Sequence, residues 1–509
     1  MPESSNKRIA VNTIYLYLRT MVVMVVSLYT SRLILKVLGV MDMGIYNIVG
    51  GIVTLMTFLQ AAQTKATGRF ITFELGKNAD EKKQGHIFSI CMTIHVLVAM
   101  LVLIVAETVG LMIVNEWTNI PAERMYAANV VYQFSVLTLI CNFIRVPYDA
   151  VIIAHEDMSI YAYMSIMEAI LKLGVVAVLS FIGFDHLIVF GGLQWGVAVV
   201  LFMAYMIYVR CHRKAYKFHW TWERDASVRV LSFSGWTLMS SFANTSTQQG
   251  VALLLNNFIG LVANAALGFA QQVNTALGQF VNSFTTAFNP QVIKLCAQEK
   301  KEQLHILMNR ASKFSFILCY IIALPLIANM DFILRLWLTA VPLYTTEFCQ
   351  LILVCTVIDA TTGVFNTAIT ATGNIRNYQI CISCSFLLDL LCAYLMLVKG
   401  FSPPLVFGSR IITRGLLNML FGFYFSQKQL QFIVWQYISS VLLPISATVL
   451  ISVPLIYLIT EHTDGWMQII FTTLASGILV VLCLICFIFS KAERVQVIGI
   501  IQRKIHGRI

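Results

Sequence analysis

The chain has 509 residues, 58% hydrophobic and only 12% charged, with a mean hydropathy of +0.79 and a net charge of +11. A soluble domain carries about 25% charged residues, so roughly half of the usual solvating charge is missing. A water-soluble globule, a disordered chain, a collagen-like chain and a small disulfide scaffold are all excluded, and the chain reads as an all-α polytopic membrane protein.

Crossing the hydrocarbon core takes about 20 apolar residues, and the runs between charged or Gly/Pro-containing breaks predict fourteen helices. The first, 9–38, follows Lys7 and Arg8 and is far longer than a signal-peptide core; it carries Arg19 in mid-span and Arg32 in its outer half. Spans at 44–64, 87–114 and 127–150 follow, with His95 inside the third. The fifth, 160–182, holds Glu168 and Lys172 at i,i+4 spacing, where they can neutralise one another. After 187–209 come two polar spans. The one at 228–256 contains the run Asn244, Thr245, Ser246, Thr247, Gln248, Gln249, and the one at 261–289 contains Gln271, Gln272, Asn274, Gln279 and Asn282. Spans at 306–328, 348–371 and 378–398 place Asp359 and Asp389 in the last two. The span at 403–425 puts Arg410 and Arg414 on one helix face, and 434–459 and 466–490 complete the set. Cys381/Cys384 and Cys483/Cys486 have CxxC spacing but lie inside spans, where a thiol acts as a small hydrophobe. No metal, cofactor or catalytic residue is expected.

The basic residues orient the helices. With both termini on the cytoplasmic side, most of the 35 Lys and Arg residues fall in inner connections: Lys65 to Lys83, Arg210 to Arg229, Lys294 to Lys313, and the tail from Lys491 to Arg508. That is the positive-inside pattern, which accounts for the net charge without nucleic acid. Arg145 is assigned to the inner side on the same basis, and Arg124 and Asp185 to the outer side.

The two halves repeat. Adding 221 to Leu38-Gly39 gives Ile259-Gly260, and six spans separate the copies, so both enter the membrane from the same side. The expected division is a six-helix bundle over 1–227, a second over 228–430, and two extra helices with a tail over 431–509. Same-direction repeats of this kind occur in alternating-access carriers.

Within the first copy, Lys36-Val37-Leu38-Gly39-Val40-Met41-Asp42-Met43-Gly44-Ile45-Tyr46 resembles the basic-x-Leu-Gly-x-x-acidic-aromatic-Gly-Leu-Tyr pattern of the O-antigen and polysaccharide flippases. These belong to the multidrug/oligosaccharidyl-lipid/polysaccharide (MOP) exporter superfamily, which also contains the MATE transporters. Met43 stands where the pattern has an aromatic residue. Ala66-Thr67-Gly68-Arg69-Phe70 with Glu74-Leu75-Gly76-Lys77, and Asn289-Pro290-Gln291-Val292-Ile293-Lys294, resemble the ends of that family's second and eighth helices. The resemblance implies a MATE-like layout of six, six and two helices in a bacterial inner membrane. It implies translocation of undecaprenyl-pyrophosphate-linked sugar units from the inner to the outer leaflet. The implied partners are the lipid-linked oligosaccharide, membrane lipids, and the polymerase and glycosyltransferases of the same biosynthesis.

A charge at the bilayer centre costs about 2.5–3.5 kcal/mol on insertion scales, so each in-span charge needs a reason. Arg19 and Arg32 have no acid three or four residues away, and a guanidinium can hold phosphate oxygens bidentately. Arg19, Arg32, Arg410 and Arg414, with Asn244, Gln248, Gln271 and Gln272, are the expected substrate-binding set; Asp359, Asp389 and Glu168 are the expected ion-coupling set. The competing account makes these charges structural ion pairs and the amides interhelical glue. With no GxxxxGK[ST] loop, the driving force is expected to be an ion gradient or the membrane potential. A MATE-type cation antiporter is the alternative, and it predicts an acidic cavity. A membrane-embedded polymerase or ligase is a further rival, and it predicts a large outer loop.

Overall fold

The computed structural model describes residues 3–54, 56–77, 80–116, 118, 120–179, 181, 183–338 and 341–483, with the backbone alone at 3–10, 28, 31, 32, 35, 40, 54, 261 and 264. Among the described residues the chain is helical, with no strand. A chain this apolar can satisfy its backbone in lipid only inside helices or a closed barrel.

The helices are α1 (Glu3–Thr54), α2 (Thr57–Gly76), α3 (Glu81–Val105), α4 (Leu111–Glu116), α5 (Ala122–Ala154), α6 (Met158–Leu179) and α7 (His186–His212). They continue as α8 (Arg224–Phe258), α9 (Leu261–Ala297), α10 (Lys301–Ala328), α11 (Met330–Trp337), α12 (Thr345–Thr372), α13 (Arg376–Val398), α14 (Pro403–Gly408) and α15 (Leu417–Leu430). The last are α16 (Val434–Tyr437), α17 (Leu443–His462) and α18 (Gly465–Cys483). Three π-helical turns, Ala106–Gly110, Ile411–Leu416 and Ile438–Leu442, join α3 to α4, α14 to α15 and α16 to α17. The first has a visible compensation: Tyr132 on α5 donates its hydroxyl to the Ala106 carbonyl at 2.8 Å, holding a backbone group at the widened turn.

Helix occupies each of the fourteen stretches expected from the sequence, as far as Cys483 in the last. Among the described residues, nine helices are long and apolar enough to cross a membrane, or ten if 41–53 and 57–76 form one bent span. The stretches that fall short are the start of α1, α8, α9 and the α14–α15 segment. The described stretch at the start of α1, Val11–Ser27, is apolar but only 17 residues long; the other three carry the Asn244 and Gln271 runs and Arg410 with Arg414, polar side chains that lower their hydropathy.

The repeat recurs in the backbone. α1 is helical throughout except at Gly39 (φ 75°, ψ 173°), and α8 and α9 part at Gly260 (φ 109°). α2 ends at Gly76 and α9 at Ala297, again 221 residues on. The expected ends of the second and eighth spans, 64 and 289, are corrected by these longer helices. Lys65 and Arg69 lie within α2 rather than in a connection.

The chain forms two compact units. The first comprises the chain up to Phe242 with Thr286–Lys300 and Thr370–Ile380; the second comprises Ala243–Thr285, Lys301–Ile369 and the chain from Cys381 onward. In the first unit, one core gathers Val49, Val102, Val131, Tyr132 and Phe143, and another gathers Met92, Val151, Tyr205 and Val209. In the second, Leu255, Leu334, Phe348, Leu353 and Phe407 pack with Ala263, Ala266, Ala270 and Ala323, small residues that let helices approach closely. His95 is fully buried in the first unit, with Nε2 2.9 Å from the Thr67 hydroxyl and Nδ1 without a hydrogen-bond partner. The terminal segments on which the cytoplasmic orientation of both ends rests lie partly outside the described residues, as does Cys486.

Candidate functional site

In the first unit four helices line a cavity of about 200 Å³. α1 contributes Arg19, Val23 and Ser27, whose four-residue spacing makes one stripe. α5 contributes Arg145 and Asp149, α6 contributes Tyr161, Ser165, Glu168 and Lys172, and α7 contributes Tyr205. Lys172 Nζ donates to Glu168 Oε1 at 2.7 Å. Arg145 Nη1 lies 3.6 Å from Glu168 Oε2 and its Nε 3.5 Å from Asp149 Oδ2. The guanidinium of Arg145 also sits 5.3 Å from the Tyr205 ring centre. Three cations therefore meet two carboxylates. Arg19 is the one left over: its guanidinium lies 5.0 Å over the Tyr161 ring, its Nε is buried without a hydrogen-bond partner, and it has no ion pair among the described residues. An adjoining cavity of about 260 Å³ shares Glu168 and Lys172, and is otherwise lined by neutral polar groups such as Ser135, Thr138, Asn142 and Gln194.

The second unit holds a separate charge cluster. Asp389 on α13 is almost fully buried; its Oδ2 is 3.2 Å from Arg410 Nε and 4.0 Å from Arg414 Nε, and its Oδ1 accepts from the Thr413 hydroxyl at 2.9 Å. Arg410 caps the π-helical turn Ile411–Leu416 and Arg414 lies inside it. Side chains four apart share one helix face. Both arginines accordingly turn to one carboxylate. Phe407 stacks on Arg410 at 4.6 Å and Phe386 on Arg414 at 4.4 Å. Arg414 Nη2 also donates to the Asn244 side-chain oxygen, which accepts a second bond from Gln248 Nε2 at 3.3 Å. The two arginines differ in access: the Arg410 side chain is 6% exposed and that of Arg414 18%.

The expected site residues thus fall into groups. Arg19 and Glu168 share the first-unit cavity, and Asp389, Arg410, Arg414, Asn244 and Gln248 form one network in the second. Gln271 is half-buried and Gln272 exposed on α9. One turn further on, Asn274 accepts from the Thr356 hydroxyl at 2.6 Å. Asp359, one turn beyond Thr356 on α12, is exposed, makes no ion pair among the described residues, and lies within electrostatic reach of Arg414. The side chain of Arg32 lies outside the described residues. In the Asn244–Gln249 run, Thr247 is buried and donates to the Phe386 carbonyl at 2.9 Å, which is interhelical glue, whereas Thr245 and Gln249 are exposed.

Sequence reasoning missed Arg145, Asp149, Tyr161 and Tyr205. Arg145 lies within the expected 127–150 span and is assigned to the inner side; what the structure adds is that its guanidinium faces Asp149 and Glu168 across the cavity. The Arg145/Asp149 spacing of four was the available signal. The acid of the Lys36–Tyr46 motif has a structural explanation. Asp42 and Asp185 both accept from the Arg124 guanidinium, and Asp185 also caps α7 by accepting from the Leu187 and Ile188 amides at 3.0 and 3.3 Å.

No family model matches the sequence, and no curated protein matches it. Solved structures do. A crystal structure of a MATE point mutant superposes with a TM-score of 0.71 at 11% identity, covering 82% of this chain and 96% of that one. A MOP superfamily transporter from Pyrococcus furiosus, described as having a binding pocket of reverse polarity, gives 0.68 at 11% identity over 82% and 95%. A point mutant of a Vibrio cholerae MATE transporter gives 0.67 at 15% identity over 84% and 97%. At these identities the similarity establishes architecture: the chain has the all-helical fold of the MATE/MOP transporters.

Proposed function

We propose that the chain is a membrane transporter whose passenger is an anionic lipid-linked oligosaccharide, moved from the inner to the outer leaflet by alternating access. The observation that carries this reading is the uncompensated guanidinium of Arg19 in a cavity that already holds Arg145 and Lys172. A pyrophosphate head group brings negative charge into low dielectric, and a planar donor with a free edge lowers that barrier. The adjoining cavity lined by Ser135, Thr138, Asn142 and Gln194 offers hydroxyl and amide partners suited to sugar hydroxyls. In the second unit Arg414 is the residue with access; Arg410, Asp389 and Thr413 hold it in position. Gln271 and Gln272 extend the polar lining, and Glu168 and Asp389 are ion-coupling candidates already engaged by cations. The P. furiosus transporter, described as having a binding pocket of reverse polarity, is a precedent for pockets of differing polarity on this fold.

One observation favours the second reading, a MATE-type cation antiporter: Asp359 is an exposed carboxylate without an ion pair among the described residues. The experiment that decides is translocation in proteoliposomes. Fluorescent lipid-linked sugar should cross with an imposed gradient, and Arg19→Ala should abolish crossing in protein that remains folded. Transport of cationic dyes, lost on Asp359→Asn and untouched by Arg19→Ala, would replace the flippase reading with the antiporter.

A further inference from the structure

Outside both charge clusters, the first unit contains a third basic cavity, of about 470 Å³, which no step of the proposed transport uses. Three arginines from three segments line it: Arg69 of α2, Arg229 near the start of α8, and Arg376 at the first residue of α13. Each is positioned differently. Arg69 is buried; its Nε and Nη2 donate to the Ala371 carbonyl at 3.3 and 3.0 Å, and Phe70 and Phe73 flank it at 4.6 and 4.4 Å. Its Nη1 is left over. Arg376 is exposed and lies 5.3 Å over the Trp236 ring. Arg229 is exposed, has no hydrogen bond or ion pair among the described residues, and its charge acts unfavourably on Arg69. No carboxylate lines the cavity, and Glu74, whose charge acts favourably on Arg69, forms no ion pair with it among the described residues.

Like charges line one concave space that holds no carboxylate and that also offers the Ser232 side chain. Solvent screens the two exposed arginines, and an anion entering the cavity would meet all three guanidinium groups with no lining carboxylate competing for them. The three arginines therefore do for a ligand what an ion pair does elsewhere in this chain. All three lie on the side that the distribution of Lys and Arg marks as cytoplasmic, where anionic head groups are available.

We infer that Arg69, Arg229 and Arg376 form a phosphate-binding site, distinct from the transport cavities, whose ligand is a phosphate ester presented at the cytoplasmic face. Arg69 is the fixed, rigid donor, and Arg229 and Arg376 close on the ligand from solvent. Two sources supply that chemistry, an anionic phospholipid head group and a soluble phosphate, and one experiment separates them. The full-length protein is melted in uncharged detergent with rising inorganic pyrophosphate, and in phosphatidylcholine nanodiscs with rising phosphatidylglycerol. Saturable stabilisation is expected, with half-saturation raised at least about tenfold in Arg229→Gln/Arg376→Gln, since each charge-assisted bond removed weakens binding by about that factor. The ligand-free melting point should not change, because both side chains are exposed. Stabilisation by phosphatidylglycerol alone assigns a lipid head group; stabilisation by pyrophosphate alone or as well assigns a soluble phosphate. Saturation by neither probe overturns the inference, and so does equal half-saturation in the double variant. Binding lost instead in Arg19→Gln/Arg414→Gln overturns it too, by assigning the phosphate to the transport cavities. If the double variant is unstable, the single substitutions serve: each should raise half-saturation several-fold, and no change in either is equally decisive against the site.

Discussion

Gly39 and Gly260 stand 221 residues apart, and both hold left-handed backbone between consecutive helices. At the second, the Gly260 amide reaches back to the Leu255 carbonyl at 3.1 Å and closes α8. The same local break in the same place in each copy lets one helix end and the next begin without a long loop. It is the most direct structural trace of the duplication.

A side chain in that conformation meets its own backbone, at a cost of about 1–2 kcal/mol. Gly39→Ala and Gly260→Ala should each lower the melting temperature in detergent. Gly68→Ala, within α2 where a Cβ meets only open space, should leave it unchanged or raise it slightly. Equal melting of all three variants would remove the backbone argument.

Asp389 is the counter-charge for Arg410 in the second unit. Removing one partner of a buried pair strands the other, typically at about 3–5 kcal/mol. Asp389→Asn should therefore melt far below wild type, and Asp389→Leu/Arg410→Met should recover much of the loss. A double variant no more stable than the single one would mean that the pair is not the source of the effect.

Arg19 and Arg145 share a cavity but differ in attachment. Arg145→Gln frees two carboxylates from a partner and should destabilise the fold. Arg19→Gln breaks no ion pair, so melting should change little while transport falls by about tenfold or more. Loss of stability with retained transport in Arg19→Gln would reverse the assignment.

Gly76 lets two helix ends approach closely: a Cβ there would lie 2.7 Å from the Lys294 Cα, backbone that cannot move aside cheaply. Nearby, Lys294 Nζ donates to Glu156 Oε1 at 2.6 Å and Gln291 Nε2 to Glu156 Oε2 at 3.2 Å. Gly76→Val should force the ends of α2 and α9 apart and speed maleimide labelling of Cys296, which is half-buried beside them. Labelling at the wild-type rate would show that the helices absorb the bulk without parting.

The membrane class, the helix order and the 221-residue repeat were legible because hydropathy and glycine spacing are properties of the chain itself. The pairing of Glu168 with Lys172 was legible for the same reason, since four residues along one helix fix the contact. Arg145 was not, because its assignment used the positive-inside rule, which scores a residue by its position near a helix end and not by what faces it. Nor could sequence divide the labour of Arg410 and Arg414: their spacing puts both on one face, but which of them lies nearer Asp389 and which is more accessible depends on the packing of α13. The basic cavity around Arg69 was hidden by distance, its three arginines being spread over some 300 positions of the chain.

The make-up of the first unit bears on how the protein is synthesised. Thr286–Lys300 and Thr370–Ile380 emerge from the ribosome long after the rest of that unit, yet Arg69 finds its carbonyl partner at Ala371 and Glu156 finds Lys294. The early helices wait in the bilayer with Glu156 unmatched until Lys294 is made and with Arg69 unmatched until Ala371 is made, nearly three quarters of the way along the polypeptide. A fragment cut at the repeat boundary should consequently be a substrate for quality-control proteolysis, and supplying the missing half as a separate polypeptide should rescue it.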